Sequence, residues 1–312
     1  MAQDRGPFFD PTNDVAFRKL FGDKKHSAVV IDFLNAALQF KGDKRIVRVD
    51  KLGEHQLPPE HQTKETVLDV HCRDQRGNSY IIEMQNRPRD AFDKRATYYV
   101  AHNVVGQLGA GEAYSSLRTS YFVGILDFSF VKGNTNYLSH HRLCDLKTGR
   151  QTFDTIHYAF VELPKFHLKL NQLKNDAERW VYFLRHAPTL KEIPKQLDTP
   201  ALREAFTTLQ EHAWTPQERR AYVYSMIART DREMQMSYAK RKGLEEGMKK
   251  GREEGREEGM VEGEKKGRKE GEKHKAVEIA RNMRALGVDI DVITRATGLT
   301  REEIERLSPR QP

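Results

Sequence analysis

The sequence predicts an α/β fold in which helices frame a small set of strands, followed by a helical region and a long charged C-terminal helix or tail. Three observations carry this. Two strand-like runs, Val67 to Cys72 and Tyr80 to Met84, flank the turn signal Arg76-Gly77-Asn78, so Thr63 to Gln85 reads as a hairpin. Segments with helical apolar spacing precede and follow it. From Gly243 onward, glycine recurs every fourth residue in a charged background.

In chain order, Asp10-Pro11-Thr12-Asn13-Asp14 punctuates a turn and offers helix caps before Phe17, Leu20 and Phe21, which share a helical face; Gly22 can end that helix. Asp14 falls in the first turn, where the helix dipole favours a carboxylate. Ser27 to Phe40 is a second amphipathic helix with Val29, Val30, Phe33 and Leu34 on its apolar stripe. A first strand is expected around Ile46 to Val49.

The hairpin carries the chemistry. Asp69, Glu83 and Gln85 interrupt otherwise apolar strands. Glu83 and Gln85 are two apart and face one side of a strand; hairpin pairing can bring Asp69 alongside. An amphipathic hairpin also places polar residues on a wet face. Yet Ile81-Ile82-Glu83-Met84 is nearly continuously apolar, and a carboxylate in such a run needs a partner, a proton or a metal. Two converging carboxylates would suit a hard divalent cation.

After Asn86-Arg87-Pro88, Asp93 to Leu108 returns to helical spacing and places Lys94 and Arg95 near its beginning, close in sequence to Gln85. Tyr121 to Phe128 reads as a central strand. Asn136 to Leu146 and Thr155 to Leu163 are further strand candidates around the turn Lys147-Thr148-Gly149-Arg150. His140, His141 and His157 lie there without a carboxylate at a supporting metal spacing. Helices are expected over Asp176 to His186, Pro200 to Leu209 and Pro216 to Arg229, the last two with a proline at the first helical position behind a threonine.

The tail differs in kind. Glycines at 243, 247, 251, 255, 259, 263, 267 and 271 are separated mainly by Lys, Arg and Glu. Each glycine costs a helix roughly 1 kcal/mol relative to alanine. The segment is either a packed supercoiled association, giving a route to a homo-oligomer, or a solvated helical spacer; the scarcity of apolar residues favours the spacer and excludes a transmembrane GxxxG helix. His274 to Arg310 is amphipathic again, with a capping box at Thr300-x-x-Glu303. Its Thr-Gly-Leu-Thr turn suits a helix-turn-helix, although a simple helical hairpin or oligomerisation tag is the expected reading.

Lys and Arg number 53 against 45 Asp and Glu, a formal charge of +8 that suits a polyanionic partner. Two cysteines, Cys72 and Cys144, argue against a disulfide framework or zinc cluster. The start lacks an apolar signal core and no long apolar run occurs, so a cytoplasmic location is expected and no membrane partner.

The opening PTNDVAFRKLFG, Asp69 followed by Glu83-Met84-Gln85, and the glycine-periodic tail together resemble the Rpn family of recombination-promoting nucleases, transposase-like proteins of the PD-(D/E)XK nuclease superfamily. The resemblance implies a restriction-endonuclease-like αβββαβ core with a mixed sheet. Residues 1–170 would form that core, 171–240 a helical extension, 241–273 the glycine-periodic helix or spacer and 274–312 a small helical unit. It implies a DNA endonuclease, tied to recombination and mobile-element or defence biology, that depends on Mg2+ or another divalent cation such as Mn2+ or Ca2+. Asp69, Glu83 and Gln85 match the catalytic D, (D/E) and K positions. Asp14, Asp69 and Glu83 would bind metal, and Lys94 or Arg95 would contact DNA phosphate. Leu68 stands in place of the motif's proline. Gln85 replaces the lysine, and a neutral amide supplies only the hydrogen-bonding part of that lysine's work. A catalytically inactive DNA-binding or assembly protein on the same scaffold is the alternative.

Overall fold

The first helix begins where Asn13 caps it: the Asn13 side chain accepts hydrogen bonds from the amides of Val15 and Ala16, and α1 (Asp14–Phe17) runs on into a π-helical turn over Arg18–Gly22. The computed structural model describes residues 6–52, 55–56, 66–67, 69–88 and 90–307, and the chain divides into two units, residues 1–230 and 231–312.

In the first unit, α2 (Ser27–Ala37) buries Val29, Val30, Phe33 and Leu34, as its spacing predicts. The Asn35 side chain bonds both backbone groups of Ile46, at 2.8 and 2.9 Å. That side chain replaces a strand partner, so the first strand, β1, covers Val49–Lys51 rather than Ile46 to Val49.

A second difference falls at Asp69. Instead of one strand from Val67 to Cys72, the chain pairs β2 (His55–Gln56) with β3 (Thr66–Val67), bends at Asp69, and enters the main sheet as β4 (Val70–Asp74). The hairpin closes onto β5 (Ser79–Gln85) with Val70 opposite Ile82. Asp74 organises the turn: its carboxylate accepts from the amides of Arg76 and Asn78 and from the Tyr80 hydroxyl at 2.9 Å. Gly77, at φ +84°, occupies the left-handed position that glycine fills without strain.

The chain then crosses through α3 (Phe92–Val105) to β6 (Ser120–Leu126), and adds β7 (Leu138–Arg142) and β8 (Ile156–Glu162). The sheet order is β1-β4-β5-β6-β8-β7, with β5, β6 and β8 parallel and the remaining pairs antiparallel. This is a mixed sheet, and α2 through β6 contains the expected αβββαβ order. One face packs Ile81, Phe122 and Phe160 against Phe92, Ala96 and Val100 of α3. The other packs Tyr80, Ile82, Met84 and Ile125 in one core with Phe17, Phe21 and Phe33, and with Trp180, Phe183 and Phe206 from α4 (Asp176–His186) and α5 (Pro200–Leu209).

The last helix to begin in this unit, α6 (Pro216–Ala285), is one continuous stretch of 70 residues. Thr215 and Glu218 cap it reciprocally, and its first turns meet the N-terminal segment, where Asp10 donates its amide to the Tyr222 hydroxyl at 3.0 Å.

In the second unit the α6 glycines are exposed and have open space around the Cβ position, so the segment is helical without lateral packing among the described residues. The end of α6 forms a small core with α7 (Ile290–Thr297) and α8 (Arg301–Glu305) through Ala280, Ile293, Leu299 and Ile304. Arg284 binds the carbonyls of Ile304, Glu305 and Leu307, closing the last helix end. Among the described residues no helix is long and apolar enough to cross a membrane.

Candidate functional site

Every residue of β5 is buried, and Glu83 is only 3% exposed. An isolated carboxylate there would be costly, so its neighbours matter. The bend that ends β3 brings Asp69 across from it. The Asp69 amide donates to Glu83 Oε1 at 3.2 Å, and the Met84 amide donates to Asp69 Oδ2 at 3.0 Å. Each acid thus accepts from the other strand's backbone, and the bend substitutes side-chain acceptors for the ladder.

The two acids also repel. Burial, then the Asp69 charge, pushes the Glu83 carboxyl up to about 8. Burial likewise raises Asp69, against the Met84 amide and the Arg18 guanidinium, while Asp14 adds a further repulsive charge. A buried pair held together against its own repulsion has the donor chemistry of a hard divalent cation site. Among the described residues, however, no three His, Cys, Asp or Glu side chains are gathered closely enough to hold a metal. Asp14 is exposed on the first turn of α1 and acts on Asp69 through its charge.

Gln85 completes the row on this face of β5. Its amide nitrogen donates to Glu83 Oε2 at 3.2 Å, and it is 7% exposed. Gly124 stands opposite Glu83 on β6, where an added Cβ would lie 2.9 Å from the Phe160 ring. Only glycine lets that ring close the wall beside the acid.

The two candidate cations of α3 differ. Lys94 is exposed. Arg95 is half-buried, its guanidinium lies 5.6 Å from the Tyr99 ring centre, and its charge acts on both Asp69 and Glu83. Its Nε is buried with no hydrogen-bond partner among the described residues, a donor facing no acceptor. Gln107, just beyond that helix, serves the fold. It binds both backbone groups of Arg118 and the Ser120 hydroxyl at the start of β6, away from Glu83.

Sequence reasoning did not single out Arg18, whose guanidinium lies 3.8 Å from Asp69 Oδ1. The signal was its place four residues after Asp14, on the same helical face. Asn86 was missed as well: it donates to the Thr12 carbonyl at 2.9 Å, tying the end of β5 to the turn before α1. Farther along, Arg229 on α6 pairs with Asp10 at 3.6 Å and with Asp127, just past β6, at 3.4 Å. His157 and His141 engage Gln151 and Ser139 rather than any metal-like group among the described residues.

A family model described as PD-(D/E)XK nuclease family transposase matches residues 11–239. A second, described as the Rpn/YhgA-like nuclease family C-terminal HTH domain, matches residues 273–309. The second match corrects the expectation of a simple hairpin or oligomerisation tag there: α7 and α8, joined across Gly298 in the left-handed conformation, are helix-turn-helix elements. No curated protein and no solved structure matches the chain.

Proposed function

Since the chain belongs to the PD-(D/E)XK nuclease family transposases, we propose that it is a divalent-cation-dependent DNA endonuclease that hydrolyses phosphodiester bonds, with magnesium as its ion. The observation that supports this best is the buried Asp69–Glu83 pair, two acids held side by side at a cost that a bound cation would offset. Asp69 and Glu83 would hold the ion and Asp14 would support it. An ion there supplies Lewis-acid polarisation of the phosphate and makes a nearby water more acidic.

The chain's own residues do the rest. Arg18, in the π-helical turn after α1, would hold the Asp69 carboxylate in place. The Gln85 amide, beside Glu83, would orient water or a phosphate oxygen. Arg95 brings the positive charge that the motif's lysine would carry, and that charge acts on both acids. In this reading the strands and α3 cut, while the helix-turn-helix unit docks DNA.

The test is cleavage of supercoiled plasmid by the full-length protein with magnesium. Wild type gives nicked and linear DNA and Asp69→Ala gives none; equal nicking by both removes the proposed site. One observation favours the alternative, an inactive DNA-binding or assembly protein: the Gln85 donor is already spent on Glu83. Magnesium binding by calorimetry without any cleavage would establish that alternative.

A further inference from the structure

A row of paired residues crosses four strands near the starting ends of the parallel set: Tyr80 on β5, Tyr121 on β6, His157 on β8 and Arg142 on β7. The rings follow the register. Tyr80 and Tyr121 stack with centres 4.9 Å apart, and Tyr121 meets His157 edge-on at 4.8 Å. Tyr80 and Glu83 are three apart on β5, so they project from opposite faces of the sheet. The row therefore lies on the other face from the acids and toward the other end of the strands. Tyr121, His157 and Arg142 of the row line a cavity of about 330 Å³ walled by Gln39 and Phe40 and reached by Lys44 and Asp154. That volume is at the small end for ligand pockets.

Donors outnumber acceptors around this cavity. His157 is 8% exposed, and Gln151 Nε2 donates to its Nε2 at 3.1 Å. That nitrogen is the acceptor, so a neutral ring carries its proton on Nδ1, which has no partner among the described residues. Burial and the Arg142 charge hold His157 down at about 4, so the ring is neutral near pH 7. Arg142 uses one bond, 3.3 Å long, on Gln151 Oε1, which also sets the amide's orientation; its other N–H groups and the Lys44 ammonium have no partner among the described residues. Asp74 is committed to Arg76 and Tyr80, and among the described residues lining the cavity Asp154 is the carboxylate. At the wall, Gln39 adopts φ +54° as the left-handed residue that ends α2, where the Phe40 amide donates to the Asn35 carbonyl at 2.9 Å.

We propose that this cavity binds the phosphate of a nucleotide: Arg142 and Lys44 supply the counter-charge, His157 Nδ1–H and the Tyr121 hydroxyl donate to phosphate oxygens, and Asp154 accepts from a hydroxyl or amino group of the nucleoside. Its position on the opposite face makes occupancy an input to the protein separate from phosphodiester cleavage.

Calorimetry on the full-length protein tests this with inorganic phosphate, deoxynucleoside 5′-monophosphates, the corresponding phosphate-free deoxynucleosides and a 5′-phosphorylated duplex. The monophosphates bind and the phosphate-free nucleosides do not. Arg142→Gln and Lys44→Gln, both at exposed positions, each weaken binding by about tenfold, and Glu83→Gln binds as wild type does. Binding of free monophosphates identifies a small-molecule nucleotide, and binding of the phosphorylated duplex alone identifies a strand end. The His157 Nδ1–H resonance shifts on addition of the ligand. The proposal is overturned if no phosphate-bearing probe binds, or if both substitutions leave binding unchanged.

Discussion

The side-chain amide of Gln85 donates a hydrogen bond to Oε2 of Glu83 at 3.2 Å, inside a strand whose every residue is buried. In the proposed site Gln85 would take the place of the motif's lysine, which keeps a donor and loses the charge. Removing one such donor from a reacting centre costs about 100-fold in rate. Gln85→Ala is expected to lose about that much plasmid cleavage, whereas Gln85→Lys retains it. Equal rates for wild type and Gln85→Ala would exclude a role for the amide.

Arg95 and Lys94 are adjacent, but only the Arg95 charge is felt by both acids. Arg95→Gln is therefore expected to cut cleavage by about 100-fold, and Lys94→Gln by less than about threefold, since exposed charges act weakly through solvent. Single-turnover cleavage at saturating protein separates the two. The reverse ranking would place the working cation on the wrong side of the helix.

Glu83 sets a pH limit on the cation-free protein. Its folded-state value is raised from 4.5 to about 8, so the folded protein retains a proton that the unfolded chain releases. The resulting stability is complete below 4.5 and is lost as pH rises through about 8. Thermal unfolding with a chelator should show that loss, Glu83→Gln should abolish it, and magnesium should reverse it by binding the folded state alone.

His71 sets the limit on the acid side. It is buried, its Nε2 lies 2.9 Å from the Ser79 hydroxyl, and burial depresses it from 6.5 to about 4. The unfolded chain binds a proton between those values that the folded protein excludes. Stability is thus complete above 6.5 and falls as pH drops toward 4, by on the order of 3 kcal/mol. Urea titrations across that window check it, and His71→Gln should flatten the slope.

The α6 glycines offer a separate readout. Gly251, Gly255 and Gly259 have nothing within 4 Å of a built Cβ, so alanine fits at each. Each replacement should stabilise the helix by about 1 kcal/mol, read as helical circular dichroism retained to higher temperature. No gain would mean that the glycines are held by packing with another chain.

Several elements were legible because their signals are local. The Asn13 cap, the apolar stripe of α2, the Gly77 turn and the Thr300 capping box each depend on residues within one or two turns of one another. Ile46 was misread because the Asn35 side chain, eleven residues away, holds its backbone where a strand was expected. Asp69 was expected within a strand; the bend there depends on an acceptor and a donor from β5.

The sequence by itself determined an α/β chain with Glu83 and Gln85 on one hairpin strand, Asp69 beside the other, and a charged, glycine-periodic helix behind them, because periodicity and turn chemistry are written in neighbouring residues; the nuclease reading came from the resemblance of its motifs to a family. Tertiary structure alone decided that Arg95 rather than Lys94 acts on the acids, that Arg18 reaches Asp69, and that Tyr121, His157 and Arg142 meet in a row on the other face. Those outcomes depend on strand order and on which side of each helix is buried. Both are settled by packing among segments tens of residues apart, which no local pattern encodes.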